Sequence, residues 1–327
     1  MRLVVTGSIA TDHLTAFPGL FSEQLLPDQL ANVSLSFLVD DLQIRRGGVA
    51  ANIAFGLGLL GFTPLLVGAV GADFSEYGAW LHKHGVDVSH VKVSEQAQTA
   101  RFMCITDRDQ NQIAAFYPGA MVESRHIDLA DVTARAGRPD LVLVAPDDPA
   151  AMLRHTSTSR RLGLVHAADP SQQLARLEGE EARRLVDAAQ VLFTNEYEAA
   201  LLCERTGWSE RQVLDRVGTW VTTRGPKGVT LTTRGDVPLT VPAVPTEKAA
   251  EPTGVGDGFR AGYLAGLGRG LSQERAAQLG CAWATTVLET VGTQEYRLDA
   301  EDLLARMTDT YGVNAAADIA RCLEVAA

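Results

Sequence analysis

The segment Glu251-Pro252-Thr253-Gly254-Val255-Gly256-Asp257-Gly258-Phe259 carries the residue types that phosphoryl transfer to a hydroxyl needs. Gly254 and Gly256 let the backbone turn its N–H groups toward a ligand, and the amphipathic run from Phe259 to Gly268 can open a helix whose N-terminal end favours negative charge. Asp257 stands beside that cradle, where a carboxylate can take a proton while the amides hold the charge. Alone, the same residues better describe an ordinary loop-to-helix turn with Asp257 as a cap. The rest of the chain must choose between them.

Other constellations are weaker. Gly56-Leu57-Gly58-Leu59-Leu60-Gly61 spells G-x-G-x-x-G, but its glycines come late in a helical pattern instead of after a strand, which argues against a dinucleotide site. Gly225-Pro226-Lys227-Gly228 reads as a turn between two strands, and the G-x-x-x-x-G-K-[ST] loop is absent. Asn195 and Glu198 follow a strand three residues apart, so a helix starting there puts both on one face, either as water-mediated Mg²⁺ contacts or as a cap with a solvated glutamate. Histidines 13, 82, 84, 90, 126, 155 and 166 show no metal-ligand spacing, and no G-x-S-x-G elbow supports a serine hydrolase.

The elements that must position these residues alternate. Strands are expected at Leu3–Thr6, Leu65–Ala69, Leu141–Ala145, Gly163–Ala168, Val191–Thr194 and Thr219–Thr223. Helices are expected at Phe74–His84, Pro149–Arg161, Gly179–Ala188, Glu196–Thr206, Phe259–Leu267 and Gln273–Glu289. Continuous apolar strands between helices predict an α/β protein whose mostly parallel sheet is covered on both faces. Leu35–Arg46, Arg101–Thr106 and Gln112–Tyr117 lack intervening helices and predict a small separate sheet with a free apolar face, able to close over a ligand or pair with another subunit.

At 327 residues the chain can bury a large core, and its net charge of −11 argues against nucleic acid or an anionic membrane as main partner. The uncharged stretch from Gly47 to Ala72 is divided by Gly61 and Pro64, which favours a buried helix at Val49–Leu60 and a strand at Pro64–Val70 over a membrane span. Cys104, Cys203, Cys281 and Cys322 are scattered, as reduced core thiols are, and Met1-Arg2 runs straight into a strand, so a cytoplasmic protein is expected.

Taken in order, these segments resemble the ribokinase-like (PfkB) family of carbohydrate and nucleoside kinases. The resemblance rests on Gly7-Ser8-Ile9-Ala10-Thr11-Asp12, Arg46-Gly47-Gly48-Val49-Ala50-Ala51-Asn52, the turn from Gly68 to Gly78, Asn195-Glu196-Tyr197-Glu198, and Glu251 to Phe259. Within the family, Thr6–Asp12, Phe21–Gln24, Val33–Asp41, Phe116–Met121, Ala168–Leu177 and Thr290–Glu295 resemble the actinobacterial, mycobacterial-type adenosine kinases. The resemblance implies one kinase domain over 1–327, with a lid from about 12–47 and 98–119, and ATP-dependent 5′-phosphorylation of adenosine with Mg²⁺.

It also implies roles. Asp257 is the base, and the amides of Gly254, Val255 and Gly256 form the anion hole. Asp12 holds ribose hydroxyls, with Ser8, Ser36, Gly48 and Asn52 around the sugar. Phe102 and Phe116 either stack on the base or pack within the lid; Gln172 and Gln173 lie near the base and Arg176 near the phosphates. Asn195, Thr223, Gly225 and Gly228 line the nucleotide side, and Asn195 and Glu198 hold Mg²⁺ through water. A homodimer through lid strands is expected. Two departures stand out: Glu251 replaces the family's usual Asp, which puts a K⁺ site in doubt, and Gly258 replaces the frequent Ala. The competing readings are a kinase of ribose, fructose, guanosine or inosine, and a non-catalytic nucleoside sensor.

Overall fold

The computed structural model describes residues 1–25 and 34–324. Residues 26–33, inside the predicted lid, and 325–327 lie outside the described residues, as does the Cys322 side chain. In chain order the strands are β1 (Leu3–Thr6), β2 (Ala10–Ala16), β3 (Asp41–Gly47), β4 (Leu65–Val67), β5 (Ala69–Val70), β6 (Lys92–Val93), β7 (Ala100–Thr106), β8 (Gln112–Tyr117), β9 (Leu141–Val144), β10 (His166–Ala168), β11 (Val191–Asn195), β12 (Thr219–Thr223), β13 (Val229–Thr233) and β14 (Leu239–Val241). The α-helices are α1 (Phe21–Gln24), α2 (Val49–Leu59), α3 (Ser75–Lys83), α4 (Leu129–Ala136), α5 (Pro149–Arg161), α6 (Gly179–Val186), α7 (Glu196–Thr206), α8 (Glu210–Leu214), α9 (Val255–Gly268), α10 (Gln273–Leu288), α11 (Ala300–Tyr311) and α12 (Val313–Glu324).

The main sheet runs β14-β13-β12-β11-β10-β9-β1-β4. Its strands from β12 to β4 are parallel, whereas β13 pairs antiparallel with β12 and β14 antiparallel with β13. Because strand side chains alternate, Leu3, Val5, Leu141, Leu143, Val191 and Phe193 enter one core with α2, α9 and α10, and Val4, Val142, Val144 and Leu192 enter another with α4, α5 and α6. The expected α/β architecture with both faces covered is what forms. No helix among the described residues is long and apolar enough to cross a membrane.

The second sheet runs β3-β2-β7-β8, with β2 and β7 parallel. Leu35–Arg46 is strand only from Asp41 onward, since Phe37 turns back to pack on Phe17 and Phe21. The cradle helix also starts earlier than expected, at Val255 instead of Phe259. Its glycines are helical because they let α9 lie against α10: a Cβ on Gly258 would stand 2.6 Å from Val287 Cγ2, and one on Gly266 would stand 2.6 Å from the Ala276 Cα. That contact accounts for glycine where the family often has alanine. The strand implied after the Gly225–Gly228 turn is β13, whereas β14 and helices α4, α8, α11 and α12 were not anticipated.

Candidate active site

The parallel strands all end at one edge of the main sheet, and the exits of β1, β10, β11 and β12 carry Ser8, Gln172, Gln173, Arg176, Asn195, Glu198, Thr223 and Gly225. In such sheets ligands sit outside the carboxyl ends of the strands. Strand β1 leads to Ser8, whose Oγ accepts from the Val49 N–H at 3.1 Å and so caps α2. Gly48 precedes that helix at φ +95°, where a Cβ would come within 2.6 Å of both Ala10 N and Ser8 O. Only glycine fits there, which ties the first signature tightly to β1 and β2.

Gly254, at φ +78°, caps α9, and a Cβ on it would stand 2.9 Å from Thr293 Cγ2. The first-turn amides of a helix have no intrahelical acceptor. The Val255 N–H makes a long turn contact of 3.3 Å with the Pro252 carbonyl, while Gly258 N–H closes the first α-helical bond to Gly254. Asp257 therefore lies within the first helical turn, its carboxylate alongside the cradle. The Asn52 amide, from α2, donates to Asp257 Oδ2 at 2.9 Å.

Burial pushes the Asp257 carboxyl up to about 7; the Arg260 guanidinium and the Asn52 bond pull it down, and the charges of Asp169 and Asp12 push it further up. A carboxyl in that range suits proton transfer at neutral pH. One turn on from Asp257, Arg260 grips Asp169, which leaves β10, with Nη2–Oδ1 at 2.7 Å and Nε–Oδ2 at 2.5 Å, and both side chains are buried. Asp12 is raised to about 6, first by burial, then by Glu251, with Arg45 opposing.

Register arranges the small sheet into rows. Arg45, Asp12, Phe102 and Phe116 are mutually paired across β3, β2, β7 and β8, so their side chains share one face. Arg45 reaches across to Glu251, Nη1 to Oε2 at 2.8 Å, and the same carboxylate accepts the Gly292 N–H at 2.9 Å. Among the described residues neither phenylalanine is paired with another aromatic ring. The opposite face shows Ile44 and Met103 in one row and Leu42 and Ile113 in the next, all exposed.

On the far side of the cleft, Asn195 caps α7 in a reciprocal box: its Oδ1 accepts from Glu198 N–H at 2.7 Å, and Glu198 Oε2 accepts from Asn195 N–H at 2.8 Å. Thr223 is the register partner of Asn195, and Gly225 and Gly228 form the turn between β12 and β13. Gln172, exposed, and Gln173, buried, sit on the short 3₁₀ turn Ser171–Ala175 after β10, with Arg176 exposed behind them. Ser36 lies exposed before β3, and no hydrogen bond among the described residues brings it to the other candidate residues. No group of three His, Cys, Asp or Glu side chains among the described residues is placed to hold a metal directly.

A model of the pfkB family carbohydrate kinase matches residues 9–300. The chain belongs to the pfkB family. Among solved structures, this pfkB-family chain is similar to Burkholderia thailandensis nucleoside kinase in complex with inosine, with TM-score 0.82 and 35% identity over 95% of this chain and 98% of that one. It is also similar to the Methanocaldococcus jannaschii nucleoside kinase, described as an archaeal member of the ribokinase family, with TM-score 0.83 and 25% identity over 94% and 98% of the two chains. A curated nucleoside kinase of Methanothermobacter thermautotrophicus is 30% identical over 87% of this chain and 92% of its own length.

Sequence reasoning passed over Arg260, Asp169, Arg45, Tyr77 and Gln294. Arg260 had a usable signal, since it follows Asp257 by three residues on one helix face; the others are joined to the site only through contacts distant in sequence.

Proposed function

We propose that this pfkB-family protein is a nucleoside kinase that transfers the terminal phosphoryl group of ATP to the 5′-hydroxyl of adenosine, giving AMP and ADP. The observation that carries the reading is the row of Asp12, Phe102 and Phe116, near enough to Asp257 for the charge of Asp12 to raise that carboxyl. A nucleoside offers both matching parts: a vicinal diol for the carboxylate and a flat base for the rings. In this reading the β3-β2-β7-β8 sheet is a lid. Ser8, Gly48 and Asn52 border the sugar, and Gln172 and Gln173 approach the base.

Asp257 accepts the hydroxyl proton as the cradle amides of Gly254, Val255 and Gly256 stabilise the transferred group. The transition state of phosphoryl transfer is loose, so alignment and charge count for more than base strength. Arg176 faces the phosphates, and Asn195, Thr223, Gly225 and Gly228 border the nucleotide. A magnesium ion would neutralise phosphate charge, and the oxygen donors of Asn195 and Glu198 fit it through water, because the Glu198 carboxylate is already bonded in the helix cap. We assign no K⁺ at Glu251, whose carboxylate already carries Arg45. The exposed row faces around Ile44 and Leu42 support a homodimer through the lid.

The second reading is a nucleoside kinase of broader or different base preference, favoured by the likeness to an enzyme solved with inosine. Initial rates with adenosine, guanosine, inosine, ribose and fructose under ATP separate the readings. The expected order puts adenosine first; faster turnover of ribose or fructose than of every nucleoside would overturn the nucleoside assignment.

A further inference from the structure

We infer that Gln294 is a positioning residue that fixes which end of the Asn52 amide faces Asp257. The inference rests on the reading of Asp257 as the base, and the geometry behind it is a chain of hydrogen bonds whose direction is set at one end. The Gly47 carbonyl can only accept, so Tyr77, whose hydroxyl lies 2.8 Å from it, must donate. Having spent its proton, the Tyr77 oxygen can only accept at its other contact. Gln294, 2.6 Å away, must therefore present its amide nitrogen.

The same nitrogen donates to Asn52 Oδ1 at 2.9 Å. With its oxygen so engaged, Asn52 has only its NH₂ left for Asp257 Oδ2. A backbone carbonyl at the root of the small sheet thus dictates, through three side chains, that a donor and not an acceptor meets the base carboxylate.

The placement is built rather than incidental. Gln294 is 1% exposed and Tyr77 5%, so water does not compete for these bonds. The loop that carries Gln294 is fastened residue by residue: Gly292 N–H to Glu251 at 2.9 Å, and Thr293 Oγ1 to the Arg46 carbonyl at 2.8 Å. Were the Asn52 amide reversed, its oxygen would face the Asp257 oxygen, and the ionised carboxylate would be disfavoured. Other charged or titratable groups also face Asp257: Arg260 on its own helix, Asp169 after β10, Asp12 on β2, and the Tyr296 hydroxyl beyond the Gln294 loop.

The test is a carboxyl NMR titration of Asp257 in the ligand-free protein, its signal assigned by its loss in Asp257→Asn, together with the pH profile of phosphorylation. Gln294→Leu keeps the volume and removes the donor. The Asp257 titration is expected to move upward by about one pH unit, with the acid limb of kcat moving alongside it. Gln294→Glu, nearly isosteric, invites Asn52 to donate to the new carboxylate and turn its oxygen to Asp257, and is expected to shift the titration in the same direction. Tyr77→Phe is expected to give a smaller upward shift. An unmoved Asp257 titration in folded Gln294→Leu and Gln294→Glu proteins would overturn the positioning role. A shifted titration in a protein that phosphorylates no nucleoside would instead uphold the relay and overturn the proposed function.

Discussion

The helix floor under the cleft and the small sheet that faces it are built on opposite plans. Helix α9 is pressed so close to α10 that a Cβ on Gly262 would stand 2.8 Å from the Gly280 Cα, and its Asp257 and Arg260 are bonded to Asn52 and Asp169 on other elements. Among the described residues, the small sheet's Ala10 and Ala100 form a core cluster with just Met121, from the turn after β8, and Ile44 is 61% and Phe116 48% exposed. Close packing fixes groups to within fractions of an ångström, which proton and phosphoryl transfer demand. A sheet with little core of its own can open and close at small cost, which ligand entry demands. Under the proposed function, rigid chemistry and adaptable recognition fall on separate elements.

The sharpest way to break that division is Asp257→Asn. Turnover is expected to fall about 10²- to 10⁴-fold while calorimetry finds nucleoside binding largely unchanged. Near-normal turnover would remove the floor from the chemistry altogether.

On the opposing sheet, Phe102→Ala and Phe116→Ala should each raise KM for the nucleoside about 5- to 150-fold, the equivalent of about 1–3 kcal/mol of base stacking, and leave KM for ATP alone. If both parameters stay put, the rings serve only the sheet.

Acidity probes the floor more gently. Because burial raises Asp257 to about 7, the proposed base is progressively protonated below that pH. Then kcat/KM should drop about tenfold per unit from pH 7 downward, level off above it, and fall more steeply below about 6, where Asp12 also takes a proton. A profile flat from pH 5 to 8 would contradict the raised base.

The smallest effect on chemistry is expected from Ile44→Glu on the outward row. Sedimentation velocity should record a shift from dimer to monomer with kcat little changed; an unaltered sedimentation coefficient would reject this face as the interface.

Local patterns proved readable where local physics sets them. Strands β1 and β12 and helices α5 and α7 have the limits expected from the sequence, and Asp148 and Asn195 are seen to cap the two helices. The start of α9 was misread because glycines weaken a helix in isolation; here they are helical because α10 leaves no room for a side chain. Strands β13 and β14 went without bounds for a different reason: both are short, and they gain strand character from pairing, β13 with β12 and β14 with β13.

Asn52 shows the limit most clearly. The family resemblance puts it beside the sugar, with nothing to link it to the base, yet it bonds Asp257, 205 positions away, and Gln294, 242 positions away. By itself the sequence determined the alternation of strands and helices and the presence of a glycine cradle with a carboxylate beside it, since both follow from short-range backbone preferences. Only the tertiary structure decided what surrounds that carboxylate: Asn52 with its donor forward, Arg260 held by Asp169, and Asp12 across the cleft. Those choices depend on burial and hydrogen bonding between distant segments, and it is burial that turns an ordinary aspartate into one that titrates near neutrality.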